Sequence, residues 1–404
     1  MINRRTFSKA VGLGTGATAV SLSGLGTDAS ASAAPHARPG GGSQAPTVPA
    51  ITPGTHTSFS EIKQVKAGVL NVGYAESGPS HGPVVMLLHG WPYDIHSYVD
   101  VAPLLADLGY RVIVPYLRGH GSTTFLSHHT PRTAEQSAIA LDVISLMDAL
   151  KIEKAVLAGF DWGSRTADII AALWPERVTS LVSTSGYLIT DRKMQAAPAD
   201  PAVERTWWYQ WYFATPRGKA AMEDETSRLA LCRYVWTLVS PNWAFDDATY
   251  NRTAEAFKNP DYAAVVLFNY RWRIGLVDTD HRYARHEKLL AAQPAIHVPT
   301  VTLDAALDPF TAPPGDGSGY RFHFTGPYAH RTIADIGHNL PQEAPTAFAQ
   351  AVVDADHLPS TGADGPGRRP GRAPRRRRTA VPPGRGRPAV RRGGPRPRRR
   401  SDWR

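Results

Sequence analysis

The stretch KAVLAGFDWGSRTADIIAALWPERV runs from Lys154 to Val178. It opens with a short apolar run, Ala155 to Ala158, suited to a buried strand. Gly159 and Gly163 then flank Asp161 inside a turn of a few residues. An amphipathic run, ADIIAALWPERV, follows and reads as a helix. Strand, sharp turn and helix therefore follow with almost no connecting chain. The side chain at the apex of such a turn stands at the helix start, clear of the strand. Here that side chain is a carboxylate.

Serine hydrolases use this arrangement as a nucleophile elbow, with the pattern G-x-S-x-G. At the same place, a carboxylate is kept ionised by the helix N-terminus and nearby backbone N–H groups. An ionised carboxylate can attack an sp³ carbon bearing a leaving group, such as an epoxide or an alkyl halide, and form an ester. The bland alternative is that Asp161 merely caps the helix. The close packing implied by Gly159 and Gly163 argues against it.

The same alternation extends on both sides. Ser58 to Gly78 reads as two strands joined by a tight turn at Ala67-Gly68. VVMLLHG (Val84 to Gly90) and RVIVPYL (Arg111 to Leu117) are continuous apolar runs, as strands buried on both faces require. YVDVAPLLADLGY between them has helical spacing. Thr133 to Ile152 reads as an amphipathic helix with a Thr at its start, and TSLVSTSG as a further strand. From about Tyr187 to Ala295 the alternation breaks into mostly helical, aromatic-rich sequence. It resumes with HVPTVTLDAALDPF and HRTIADIGHN and ends in the helix of EAPTAFAQAVVDAD. The expected class is α/β, a mostly parallel sheet. Residues 55–186 and 296–358 form its core and 187–295 a helical insertion of cap size. In such sheets the site lies at the carboxyl ends of the strands.

Three more positions carry chemistry. His338, in ADIGHNLPQEAP, follows the last strand and lies after the candidate nucleophile in chain order. Nucleophile, acid and histidine occur in that order in α/β-hydrolases. The acid then lies between them: Asp308 in TLDAALDPF is preferred, because a loop position can reach the His ring, and Asp304, which reads as strand, is the rival. HGWP (His89 to Pro92) follows a buried strand directly. Its Trp91 N–H and the N–H of Trp162 are the natural pair for an oxyanion hole; read alone, HGWP is equally a strand-ending turn. No H-E-x-x-H and no clustered cysteine ligands are present, so no metal or other cofactor is expected.

HGWP, RGHGST (Arg118 to Thr123), GFDWGS, LDAALDPF and GHNLPQEAP, in this order and spacing, resemble the α/β-hydrolase fold enzymes with an Asp nucleophile, and among them the epoxide hydrolases. The resemblance covers roughly Ser58 to His357. It implies an eight-stranded, mostly parallel sheet with a helical cap. It also implies an Asp161 ester intermediate hydrolysed by water that His338 and Asp308 activate. Two cap tyrosines would hold and protonate the epoxide oxygen. WYQWYF resembles the first cap segment and places Tyr209 there, with Tyr212 as a neighbour able to take the role; LFNYRWR places Tyr270. The expected partners are a small epoxide and water. Haloalkane dehalogenases share the D-W pair, and in that alternative the indole N–H groups of Trp162 and a second Trp hold the halide. A third alternative is a non-catalytic binder of a small apolar ligand on the same fold; it would need a broken triad, and the triad is complete.

The ends of the chain differ from this body. Arg4 and Arg5, then a mildly apolar Gly/Ala/Leu stretch, then ASASAA (Ala29 to Ala34) resemble a twin-arginine export signal over residues 1–34. A periplasmic or extracellular destination is expected. Residues 35–54 read as a Pro/Gly/Ser-rich linker. Residues 359–404 hold sixteen Arg and two Asp, a net of +14, so the rest of the chain carries −4 of the total +10. Nucleic-acid binding is therefore not expected of the core. The tail reads as disordered: a solvated tail or a reading-frame product rather than a functional arm that binds anionic polymers. Cys232 is the single cysteine, so no intramolecular disulfide can form.

Overall fold

The computed structural model describes residues 45–311 and 315–359. The export-signal segment and the arginine-rich tail beyond Pro359 lie outside the described residues.

One sheet organises the body. β1 (Ile62–Ala67) and β2 (Leu70–Ser77) form a hairpin whose turn begins at Gly68, one residue later than expected, with φ +57°. β2 also runs antiparallel to β4 (Arg111–Pro115) and to the two-residue β5 (Thr124–Phe125). From β4 onward the sheet is parallel: β4, β3 (Val84–Leu88), β6 (Ala155–Gly159), β7 (Val178–Thr184), β8 (Thr300–Ala305) and β9 (Tyr328–Ile333). Eight strands lie on one path, as expected. The ninth, β5, lies off this path, pairs only with β2 and is too short for a period-2 signal.

Two helical layers make the central strands apolar on both sides. α2 (Gln136–Ala149) and α3 (Trp162–Leu173) form one layer; α1 (Val101–Asp107) and the terminal α13 (Pro345–His357), behind the one-turn α12 (Leu340–Glu343), form the other. All five residues of β6 are buried. Strand order puts the site together. β3 pairs with both β4 and β6, and Leu88 lies beside Gly159. The chain direction across the sheet switches here, so HGWP and Asp161 emerge side by side from adjacent strand ends.

Three expectations need correction. α3 begins at Trp162, directly after Asp161, not at Ala167. α2 begins at Gln136, and Thr133 does not cap it; the Thr133 carbonyl instead accepts from the buried Arg118, which also forks onto Asp142 at 2.6 and 2.8 Å. The first turn of α2 is served from far along the chain, where Glu287 Oε1 accepts the Ser137 N–H at 2.9 Å. Finally, residues 46–54 are no free linker. Val48 is buried, and its N–H reaches Gln350 Oε1 at 2.7 Å; the Ile51 N–H reaches Thr346, and the Gly54 N–H reaches Asp100. Composition alone does not reveal these side-chain acceptors.

Between β7 and β8 the chain builds α4 (Arg192–Gln195), α5 (Pro201–Thr206), α6 (Trp208–Ala214), α7 (Pro216–Glu223), α8 (Glu225–Val239), α9 (Asp247–Ala254), α10 (Tyr262–Arg273) and α11 (Ala284–Leu290). Their starts are written locally. Asp191, Asp200, Thr215, Asp224 and Asp246 each accept a first-turn N–H, and Pro opens α5 and α7.

Candidate active site

Asp161 adopts φ +51°, ψ −119°, a conformation costing a side-chain-bearing residue about 1–3 kcal/mol. Its surroundings hold it there. A Cβ on Gly163 would sit 1.8 Å from the Leu88 carbonyl oxygen, and one on Gly159 would sit 2.4 Å from the Gly163 carbonyl carbon. Only glycine lets strand and helix close this tightly. Ser164 locks the turn to β7: its Oγ donates to the Gly159 carbonyl at 2.7 Å and accepts the Thr184 N–H at 2.8 Å. The helix-cap alternative for Asp161 fails, because its side chain makes no capping bond to α3. Its Oδ1 instead accepts the Trp91 backbone N–H at 2.7 Å. The Trp162 amide opens α3, where N–H groups have no intrahelical acceptor.

His338 stands opposite. Its Nδ1 lies 2.8 Å from Asp308 Oδ2, and its Nε2 lies 3.8 Å from Asp161 Oδ2. Asp308 is fixed by the Phe310 N–H on its Oδ1 and by the Ser185 hydroxyl at 3.3 Å. The rival Asp304 accepts from the Tyr320 hydroxyl and lies 3.7 Å from His330, away from His338. Burial alone would lower the His338 pKa, but the charge of Asp308 and the Asp161 carboxylate outweigh it and push it up to about 10. Burial alone would raise Asp161, but His338, Arg165 and the Trp91 amide hold it below the usual carboxylate value. Both shifts favour an imidazolium between two carboxylates at rest.

The cap supplies aromatic rings above this triad. Tyr209 on α6 and Tyr270 on α10 are buried, with ring centres 5.4 Å apart. Both pack on the Trp91 indole, at 5.2 and 5.1 Å, and Tyr270 lies 5.8 Å from Trp162. Burial, and then the negative charge of Asp161, raises the Tyr209 pKa; burial, Tyr209 and Asp161 do the same for Tyr270. Both phenols stay protonated and can donate. Tyr212 is half-exposed, and among the described residues its aromatic ring partners are Trp208 and Phe213. α6 therefore turns Tyr209, not Tyr212, toward Asp161. A cleft of about 590 Å³ is lined by Trp208, Tyr209, Tyr234, Leu238, Val239 and Pro309, so Tyr209 is shared between its wall and the aromatic group. Asp161 and His338 are 9% and 5% exposed.

This geometry decides the family, and comparison agrees. A family model described as alpha/beta hydrolase fold matches residues 83–345, well over half of the chain. The chain belongs to the alpha/beta hydrolase fold family. A crystal structure of a Klebsiella pneumoniae protein, described provisionally as an epoxide hydrolase, is 55% identical, covering 74% of this hydrolase and 98% of that chain with a TM-score of 0.72. Epoxide hydrolase B of Mycobacterium tuberculosis is 30% identical over 178 residues, 41% of this chain and 49% of that protein. Fluoroacetate dehalogenase of a Burkholderia species is 37% identical over 155 residues, 38% and 48% of the two chains. In these alignments the hydrolase spans about half the length of the curated relatives.

Several holding residues escaped the sequence reading. The His338 N–H donates to the Val239 carbonyl and to Ser240 Oγ, both at the end of α8. Glu343 accepts the Gly337 N–H at 2.9 Å, the Asn339 N–H at 3.1 Å and the Ser240 hydroxyl at 2.7 Å. Glu343 lies within the quoted GHNLPQE, five residues after His338, and could have been suspected; Ser240, a hundred residues away, carries no local signal.

Proposed function

We propose that this hydrolase opens epoxides to vicinal diols through an ester on Asp161. The observation that carries the reading is the facing arrangement of two protonated, buried phenols, Tyr209 and Tyr270, above a carboxylate held ionised. The phenols hydrogen-bond the epoxide oxygen. Asp161 attacks a ring carbon from the opposite side, the carbon–oxygen bond breaks, and a phenol gives the alkoxide its proton. Esterification removes the Asp161 charge, and with it part of what raises the His338 pKa. His338 can then give up its proton, which returns through solvent to the phenolate, and act as base, oriented by Asp308. It takes a proton from water, whose oxygen attacks the Asp161 carbonyl carbon. The N–H groups of Trp91 and Trp162 hold the oxyanion. The diol leaves with the oxygen that Asp161 supplied.

The test is product analysis with styrene oxide and, in parallel, a bromoalkane. Diol without bromide, lost in Asp161→Ala, is the expected result; no diol from any epoxide that enters the cleft would refute the reading. One observation favours dehalogenation as second reading: the buried indole N–H groups of Trp91 and Trp162 both lack an acceptor among the described residues, as a pair awaiting a halide would. Bromide without diol would select it and leave Tyr209 and Tyr270 as packing. Export rests on the paired Arg4 and Arg5; residues 1–34 fused to a folded reporter should send it across the membrane, and Arg4→Lys with Arg5→Lys should stop it.

A further inference from the structure

Two buried guanidinium groups, Arg165 near Asp161 and Arg273 near Tyr270, are used by none of the steps above. Arg165 follows Asp161 by four residues on α3, and Arg273 follows Tyr270 by three on α10. Arg273 therefore shares a helix face with Tyr270, and Arg165 lies in the first turn of the helix that Asp161 precedes. They are 6% and 3% exposed. Arg165 makes one hydrogen bond among the described residues, from Nε to the Leu188 carbonyl at 3.0 Å. Arg273 reaches Gln195 Oε1 only at 3.4 Å, while its Nε and Nη1 have no partner. The Arg273 guanidinium stands 5.5 Å from the Tyr270 ring centre and 5.2 Å from that of Trp207, which in turn adjoins Tyr209. Neither arginine forms an ion pair with a carboxylate among the described residues.

A buried charge without a counter-ion is expensive, and two adjacent cations more so. Burial and the neighbouring Arg273 bring the Arg165 pKa down to about 10, against the pull of Asp161. Asp161 offsets the pair at rest, but its charge disappears when it becomes an ester. Asp168, one turn further along α3, does not replace it fully, because burial raises its pKa to about 8. During the covalent stage Arg273 is left against the aromatic wall with its Nε and Nη1 donors open, and Arg165 next to it. A guanidinium fork with open N–H groups fits a planar carboxylate.

We propose that Arg165 and Arg273 form a carboxylate subsite, so that this hydrolase takes small epoxides bearing an anionic carboxylate. The inference rests on the epoxide reading for the reacting group and on the arginines alone for the anion. The test compares glycidate with methyl glycidate on the full chain. The acid should be preferred, and Arg273→Gln should lower the acid-to-ester ratio of kcat/KM about tenfold or more, chiefly through KM, with Arg273→Lys recovering part. Calorimetry with unreactive propanoate and propanamide separates binding from chemistry and needs no folded variant: wild type should bind propanoate and not the amide. Propanoate bound without diol from any epoxide would keep the subsite and sink the epoxide reading. Diol from styrene oxide, with no preference for glycidate and no propanoate binding, would overturn the subsite and keep that reading.

Discussion

Asp161 and Tyr270 face the same space, yet they are placed by different means. Asp161 is set by backbone: three glycines, Gly90, Gly159 and Gly163, admit contacts that any Cβ would block, and the strand pair β3–β6 puts the Trp91 N–H on its oxygen. Tyr270 is set by side chains. Asn269 donates to the Ala134 carbonyl at 2.7 Å, and Arg271 donates to the Phe213 carbonyl at 2.8 Å, tying α10 to the core and to the helix that carries Tyr209. The core half of the site thus tolerates almost no local change, while the cap half can be altered residue by residue. A rigid lower half suits a fixed reaction, and an adjustable upper half suits a choice of substrate.

The comparison can be broken in order of expected effect. Asp161→Asn should lower kcat by about 10⁴-fold or more, since it removes the attacking oxygen anion; residual diol formation near wild type would end the ester mechanism. His338→Gln should slow turnover by about 10³-fold while leaving alkylation intact, so that intact-mass spectrometry finds enzyme carrying the substrate mass. Tyr270→Phe should cost about 10²-fold in kcat and leave the melting temperature little changed, whereas Tyr212→Phe should leave both as they are. If Tyr212→Phe hurts as much as Tyr209→Phe, the assignment of the first phenol to α6's inner face is wrong. Gly163→Ala should show the opposite pattern, with stability falling by about 2 kcal/mol or more along with activity. The gentlest test is pH. The folded-state His338 pKa is raised from 6.5 to about 10, so its stabilising contribution is complete below about pH 6.5 and fades as pH climbs toward 10. The stability difference between wild type and His338→Gln, followed by denaturant titration, should shrink over that window; growth instead would mean that the imidazole is neutral at rest.

The same division explains what could be read from the chain beforehand. The core half was legible because its signals are local. GFDWGS carries its own glycines, the order of Asp161, Asp308 and His338 follows the strands, and a loop position distinguishes Asp308 from Asp304. In the cap, the expectation of Tyr209 and Tyr270 came from likeness of short segments, and only the rotation of α6 separates Tyr209 from Tyr212. Contacts made by side chains far apart in sequence left no trace. Glu287 closing the first turn of α2, Ser240 under His338, and the Gln350 and Thr346 anchors for residues 48–51 belong to that class. The start of α2 was misplaced for the same reason: a remote carboxylate replaces the cap that Thr133 promised.

The fastening of the histidine loop has a consequence for protein engineering. The His338 N–H is shared by Val239 and Ser240, and Glu343 binds the Ser240 hydroxyl from the core side. His338, the base of the proposed reaction, is thereby moored to the last turn of a cap helix. Transplanting a foreign cap between β7 and β8 to change specificity would cut that mooring. A chimera that keeps residues 239 and 240 in place should retain a working base, and one that replaces them should inherit new walls around an idle histidine.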